Sequence, residues 1–117
     1  MSDYPTEDDA KRLRGLVDSA MAVRYDITWD HDYPNYPEQI RELMTYITTS
    51  VWCNSQYKPA KTKQIPDHLD QADLEEVRSL LTALSRSERF LTGSWKNALE
   101  SGRLENVVQR AEQLIRA

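Results

Sequence analysis

Apolar residues in this chain return at helical spacing, and polar residues fill the positions between them. Leu13, Leu16, Val17, Ala20 and Met21 make one face of a first helix, which the spacing predicts over 7–24. Thr6 followed by Asp9 supplies its cap and an acidic first turn, and Gly15 weakens it slightly. Ile40, Leu43, Met44 and Ile47 repeat at i, i+3, i+4 and i+7, which predicts a core helix over 38–51 with Pro37 at its first turn. Asp73 with Glu76 three residues later reads as a capping box opening a helix over 74–91. Leu104, Val107, Val108, Ala111, Leu114 and Ile115 mark a last helix over 103–116, and Trp95, Ala98 and Leu99 a short one over 95–101 that stops at Gly102. The expected fold class is therefore all-α: a compact helical bundle of four main helices and one short one, in a single domain spanning 1–117, with residues 1–5 frayed.

Two long segments interrupt the helices. Residues 25–37 read as extended or looped, because two prolines and the residues before them resist helix. There Tyr25, Trp29, Tyr33 and Tyr36 interleave with Asp26, Asp30 and Asp32, as an aromatic loop over the core or one wall of a groove. No convincing strand stands out, although Tyr25–Trp29 has some capacity to pair. Asp30-His31-Asp32 is not read as a metal site, since in an extended chain His31 points away from the two carboxylates. The second segment, 52–72, carries the basic run Lys58, Lys61 and Lys63, read as a solvated loop, and one helical turn at Asp67–Gln71.

The central helix departs from a plain apolar stripe. At about 100° per residue, Val77, Leu81, Leu84, Glu88 and Leu91 share one face, so Glu88 stands where a core residue is expected. A carboxylate there must be paired, hydrogen-bonded or protonated. Arg86 lies across the helix from Glu88 and faces Phe90, while Arg89 continues a polar row with Arg78, Thr82 and Ser85. Thr92-Gly93-Ser94 offers a break, with Gly93 in a left-handed cap and Ser94 capping the next helix. Glu88 either latches the aromatic loop to the helix through Tyr33 or Tyr36, or serves as a ligand-binding carboxylate. The candidate ligand- or partner-binding residues are Arg86, Glu88, Arg89, Trp95, Tyr33 and Tyr36, with no catalytic residue among them.

Arg86-x-Glu88-Arg89-Phe90-x-x-Gly93-x-Trp95, followed by Gly102, resembles the core motif of a family of small prokaryotic proteins catalogued as a domain of unknown function. Tyr33-Pro34-x-Tyr36-Pro37 and the pair Trp52 and Tyr57 are similar to that family's upstream part, so the resemblance covers roughly residues 29 to 116. It implies a fold unit and a site. It implies no reaction and no cofactor.

Composition narrows the partners. A net charge of −4 works against nucleic-acid binding, for which a basic face is the usual footprint. Cys53 is alone, which suits a reducing cytoplasm, and it has no local base to make it a nucleophile. His68 reads as a surface histidine. No apolar run reaches membrane length, and the acidic N-terminus does not read as a signal peptide. The expected function is a small cytoplasmic protein-interaction or regulatory accessory module. The alternatives are a binder of, or enzyme on, a small anion held by Arg86 and Arg89 with Glu88 as acid or base, and a weak nucleic-acid binder using Lys58–Lys63 with Arg78 and Arg89.

Overall fold

The first helix begins where its end chemistry dictates. In a computed structural model, which describes residues 5–54, 58, 65–87 and 93–116, α1 runs over Glu7–Ala22. The Thr6 side chain accepts the Asp9 amide, and the Asp9 carboxylate accepts the Thr6 amide at 2.8 Å, a reciprocal capping box. Leu13, Val17 and Ala20 are sealed from solvent. The helix stops short of Arg24, whose guanidinium turns back to donate to the Met21 carbonyl at 2.6 Å. Of the 1–5 stretch expected to fray, residues 1–4 lie outside the described residues and Pro5 is buried.

The aromatic segment holds a hairpin that the sequence reading did not place. Strands β1 (Thr28–Asp30) and β2 (Tyr33–Asn35) pair antiparallel, with Trp29 opposite Pro34 and Asp30 opposite Tyr33. Proline is tolerated here because a two-stranded ribbon leaves one side of each strand without ladder bonds to make. His31 and Asp32 form the connection, with His31 at a φ of 58°. The fold remains mainly α.

Helix α2 (Glu38–Thr49) buries Ile40, Leu43 and Ile47 and ends at Ser50. Beyond it Trp52 is fully buried, and its indole N–H donates to the Tyr46 hydroxyl at 3.1 Å. That hydroxyl in turn donates to the Asp9 carbonyl at 3.4 Å, which joins α2 to α1. A 3-10 helix over Ile65–Gln71, kinked at His68, replaces the single turn expected at Asp67–Gln71. It leads to buried Ala72, whose carbonyl accepts Arg110 Nε at 2.9 Å.

Helix α3 (Leu74–Ser87) opens with the expected capping box: the Asp73 carboxylate accepts the Glu76 amide at 2.8 Å, and Glu76 accepts the Asp73 amide at 3.2 Å. Val77 and Leu81 enter the core, and Leu80 and Leu84 pack against it. The polar row of Arg78, Thr82 and Ser85 is buried or half-buried. Thr82 is fully buried, and its hydroxyl accepts the Asn54 amide at 2.7 Å. Arg78 donates to the carbonyls of Val51 at 2.8 Å and Cys53 at 3.2 Å. These side chains satisfy backbone groups where the chain leaves α2 without regular structure.

Helix α4 (Ser94–Glu100) buries Trp95, Ala98 and Leu99, and α5 (Arg103–Arg116) buries Leu104, Val107, Val108 and Ala111. Gly102 joins them at a φ of 81°, the left-handed conformation that ends one helix before the next begins. Arg14 of α1 pairs with Glu105 at 2.7 Å and with Glu112, both on α5, so charge reinforces the apolar contact of the first and last helices. Among the described residues one apolar cluster draws on all five α-helices. Among the described residues no helix is long and apolar enough to cross a membrane.

Two stability predictions follow from these contacts. Gly15 is exposed inside α1 and an added Cβ there meets nothing within 4 Å. Gly15→Ala is expected to stabilise by about 0.5–1 kcal/mol in urea unfolding, and no gain would mean that α1 is not helical at that point. Burial raises the Tyr46 phenol above its ordinary value, partly offset by the hydrogen bond from Trp52. The fold thus holds the neutral phenol. Its contribution is complete below the unfolded phenol value of about 10 and is lost as pH rises through the higher folded value. Tyr46→Phe is expected to cost about 1–3 kcal/mol at neutral pH by orphaning the buried indole N–H, and to remove that part of the alkaline loss. Equal pH profiles for the two proteins would contradict the assignment.

Candidate functional site

Gly93 stands in a turn position directly before α4. Its φ of 90° and ψ of 6° place it in the left-handed region, where a side chain is strained. It serves as the N-cap of α4, in place of Ser94, which is the helix's first residue. The Ser94 hydroxyl instead shares a 2.7 Å hydrogen bond with the Ser87 hydroxyl, which draws the end of α3 and the start of α4 together. A second constraint comes from the hairpin. A Cβ built on Gly93 would stand 3.3 Å from Cη2 of Trp29, so the indole lies directly over the glycine backbone. Any larger residue must both adopt an unfavourable φ and push the ring away.

That contact orients the hairpin. Side chains alternate across the ribbon, and directly opposed residues share a face. Trp29 and Pro34 therefore form the inner face, continued by Ile27 and Tyr36, which pack against the core. Thr28, Asp30, Tyr33 and Asn35 form the outer face, and all four are exposed. Tyr33 is 71% exposed, Tyr25 70% and Trp29 49%, so the ring that clamps Gly93 still offers half its surface to solvent. At the base of the ribbon the Arg24 guanidinium lies over the Tyr25 ring, 4.5 Å from its centroid.

The sequence candidates are distributed over this frame unevenly. Arg86 is half-buried in the last turn of α3. Trp95 is sealed in the core two residues past Gly93, where its ring fills space and no ligand reaches it. Tyr36 packs partly into the core, while Tyr33 points outward. Glu88, Arg89 and Phe90 lie outside the described residues, and with them the latch, the ligand carboxylate and the Arg86–Phe90 contact. The described join between aromatic segment and helical turn is the Trp29 ring on Gly93. Sequence reasoning passed over Trp29 in that role. The available signal was the alternation of Ile27 and Trp29 with Thr28 and Asp30, a short strand pattern overshadowed by the prolines that follow.

Gly93→Ala is expected to destabilise by about 1–2 kcal/mol, chiefly through the backbone. In a double-mutant cycle with Trp29→Ala most of that cost should persist, and the part that disappears measures the ring contact. A near-zero effect in urea unfolding would show that the turn is not held at positive φ.

No curated protein matches the chain, and no solved structure matches it. A family model matches residues 29–117, which takes in the hairpin apart from Thr28, the helices from α2 onward and Gly93. Helix α1 lies upstream of the match although Leu13, Val17 and Ala20 are part of the same core. On that match the chain belongs to DUF6508, a family of unknown function.

Proposed function

We propose that the protein is an interaction module, of a binding or regulatory accessory kind, which docks a protein partner on the outer side of its β-hairpin. One observation carries this reading. Among the described residues the large apolar side chains left exposed are Tyr25, Trp29 and Tyr33, all on one short segment, with Tyr33 on the outer face, Tyr25 at the base and the free edge of Trp29 beside them. Aromatic residues are enriched at protein interfaces and in their energetic centres, because they bring large contact area at low entropic cost. The hairpin itself is anchored by Trp29 on Gly93, so the presented residues ride on a fixed frame.

The nucleic-acid reading has less to stand on. Arg78, needed by a nucleic-acid face, is committed to the Val51 and Cys53 carbonyls. Glu88 and Arg89, needed with Arg86 to hold an anion, lie outside the described residues, as do Lys61 and Lys63.

The test is a photo-crosslinking amino acid placed at Tyr33 and, separately, at Gln109, which is exposed on α5. In cells that make the protein, a discrete protein adduct is expected from position 33 and not from position 109. Equal labelling at both positions, or none at either, would remove the hairpin as an interface.

A further inference from the structure

We infer that the outer face of the hairpin recognises cationic side chains, and that its partner is a Lys- or Arg-bearing segment of another protein. The inference rests on the interaction reading above and narrows it to one chemistry. Its centre is the cross-strand pair of Asp30 and Tyr33. Directly opposed residues on a ribbon hold their Cβ atoms about 4.5–5.5 Å apart, so the carboxylate and the phenol ring border one small volume. A guanidinium or ammonium in that volume meets the negative face of the ring on one side and a charged acceptor on the other. Both side chains are well exposed, with Asp30 at 76% and Tyr33 at 71%.

Within the segment 25–40 the carboxylates predominate. Asp32 in the turn and Asp26 at the base of the ribbon are exposed, and no Lys or Arg occurs from Tyr25 to Ile40. His31, at the tip, is the sole basic side chain in that stretch, and its imidazole lies 3.8 Å from Asp30. The aromatic segment already accepts one guanidinium: Arg24 lies over Tyr25 at 4.5 Å, while Tyr25 stays 70% exposed. Cation on ring is thus a contact that this surface makes within its own chain.

Other occupants fit less well. A second copy would set Asp26, Asp30 and Asp32 against their equivalents, and like charges opposed across a pairing surface are destabilising. Pro34 also leaves β2 with one amide fewer for edge-to-edge pairing. A purely apolar partner would strip water from Asp30 without replacing it. A phosphate backbone would be repelled.

The probes are an oligo-arginine peptide, an oligo-lysine peptide and a Gly/Ser peptide of equal length, titrated into the full chain and followed by backbone amide shifts. The two cationic peptides are expected to move the amides of Thr28–Asn35 and the Gly/Ser peptide to move none, with binding that weakens as salt rises. Tyr33→Ala should weaken binding about two- to fivefold, the worth of one exposed cation–ring contact. Asp30→Asn should also weaken it, and a Glu7→Gln, Asp8→Asn double variant on the first turn of α1 should not. Circular dichroism confirms that each variant is folded. If Tyr33→Ala binds as tightly as the parent and the α1 variant is the weaker one, net charge alone explains the binding and the inference is overturned. A crosslink at position 33 that oligo-arginine does not compete and Asp30→Asn does not weaken overturns the cationic chemistry and leaves the interaction reading standing. With no crosslink and no peptide binding, both fail.

Discussion

Trp29 can lie against the start of α4 as it does only because position 93 has no side chain. The indole meets the backbone of Gly93 at a separation that a Cβ would crowd, and the same residue adopts a left-handed φ that any side chain would strain. Two demands fall on one residue from opposite directions. The start of α4 is capped at a positive φ, and the hairpin needs a flat surface to sit on. The position of the ribbon over the bundle follows from that coincidence, and with it the direction in which the ribbon's outer residues face. In the motif that runs from Arg86 to Trp95, Gly93 and Trp95 have structural reasons of this sort, one for the turn and one for the core.

Most of the polar side chains that enter the interior do similar work on the backbone. Where α2 ends, the chain continues through Val51–Asn54 without regular hydrogen bonds. Arg78 takes two of its carbonyls, and Thr82 and Ser79 receive the Asn54 amide and side chain. Trp52 is admitted to the core because Tyr46 stands by to accept its N–H. Each group is costly to bury alone and cheap to bury as a set. A charged or polar residue on this surface is therefore not a functional candidate until its backbone obligations are excluded, and that requirement removes Arg78 while leaving Asp30 and Tyr33.

The helices were legible because their signal is redundant. Apolar period and capping box agree for α1 and α3, and the bounds fall within a few residues of those that the spacing predicts. The hairpin was not, for a physical reason: strands of three residues give too few alternations to establish a period of two, and Pro34 argues against a strand unless the ribbon is known to have only two. What the polar row of α3 meets was not legible, because helical periodicity says which residues share a face and not what that face meets. Of the candidate site, the burial of Trp95 was legible in its spacing with Ala98 and Leu99, whereas the exposure of Tyr33 depends on tertiary placement that no local pattern encodes. Glu88 stood out in the sequence because a carboxylate broke an apolar stripe, and that argument remains one about sequence, since the residue lies outside the described part of the chain.

Clamp and presented face are two results of a single register. In a ribbon the side-chain period is two, so the pairing that turns Trp29 inward onto Gly93 necessarily turns Asp30 and Tyr33 outward. A slip of one residue would carry the indole into solvent and bring Asp30 against the turn, leaving a carboxylate to be desolvated where a ring now packs. The two-residue connection through His31 and Asp32 opposes such a slip from one end, and the fit of ring to glycine opposes it from the middle. A three-residue strand is far too short to hold a register by its own ladder. The outer face of this hairpin is consequently only as well defined as the contact made by its inner face, and substitutions at Gly93 act on Tyr33 through Trp29 without touching it.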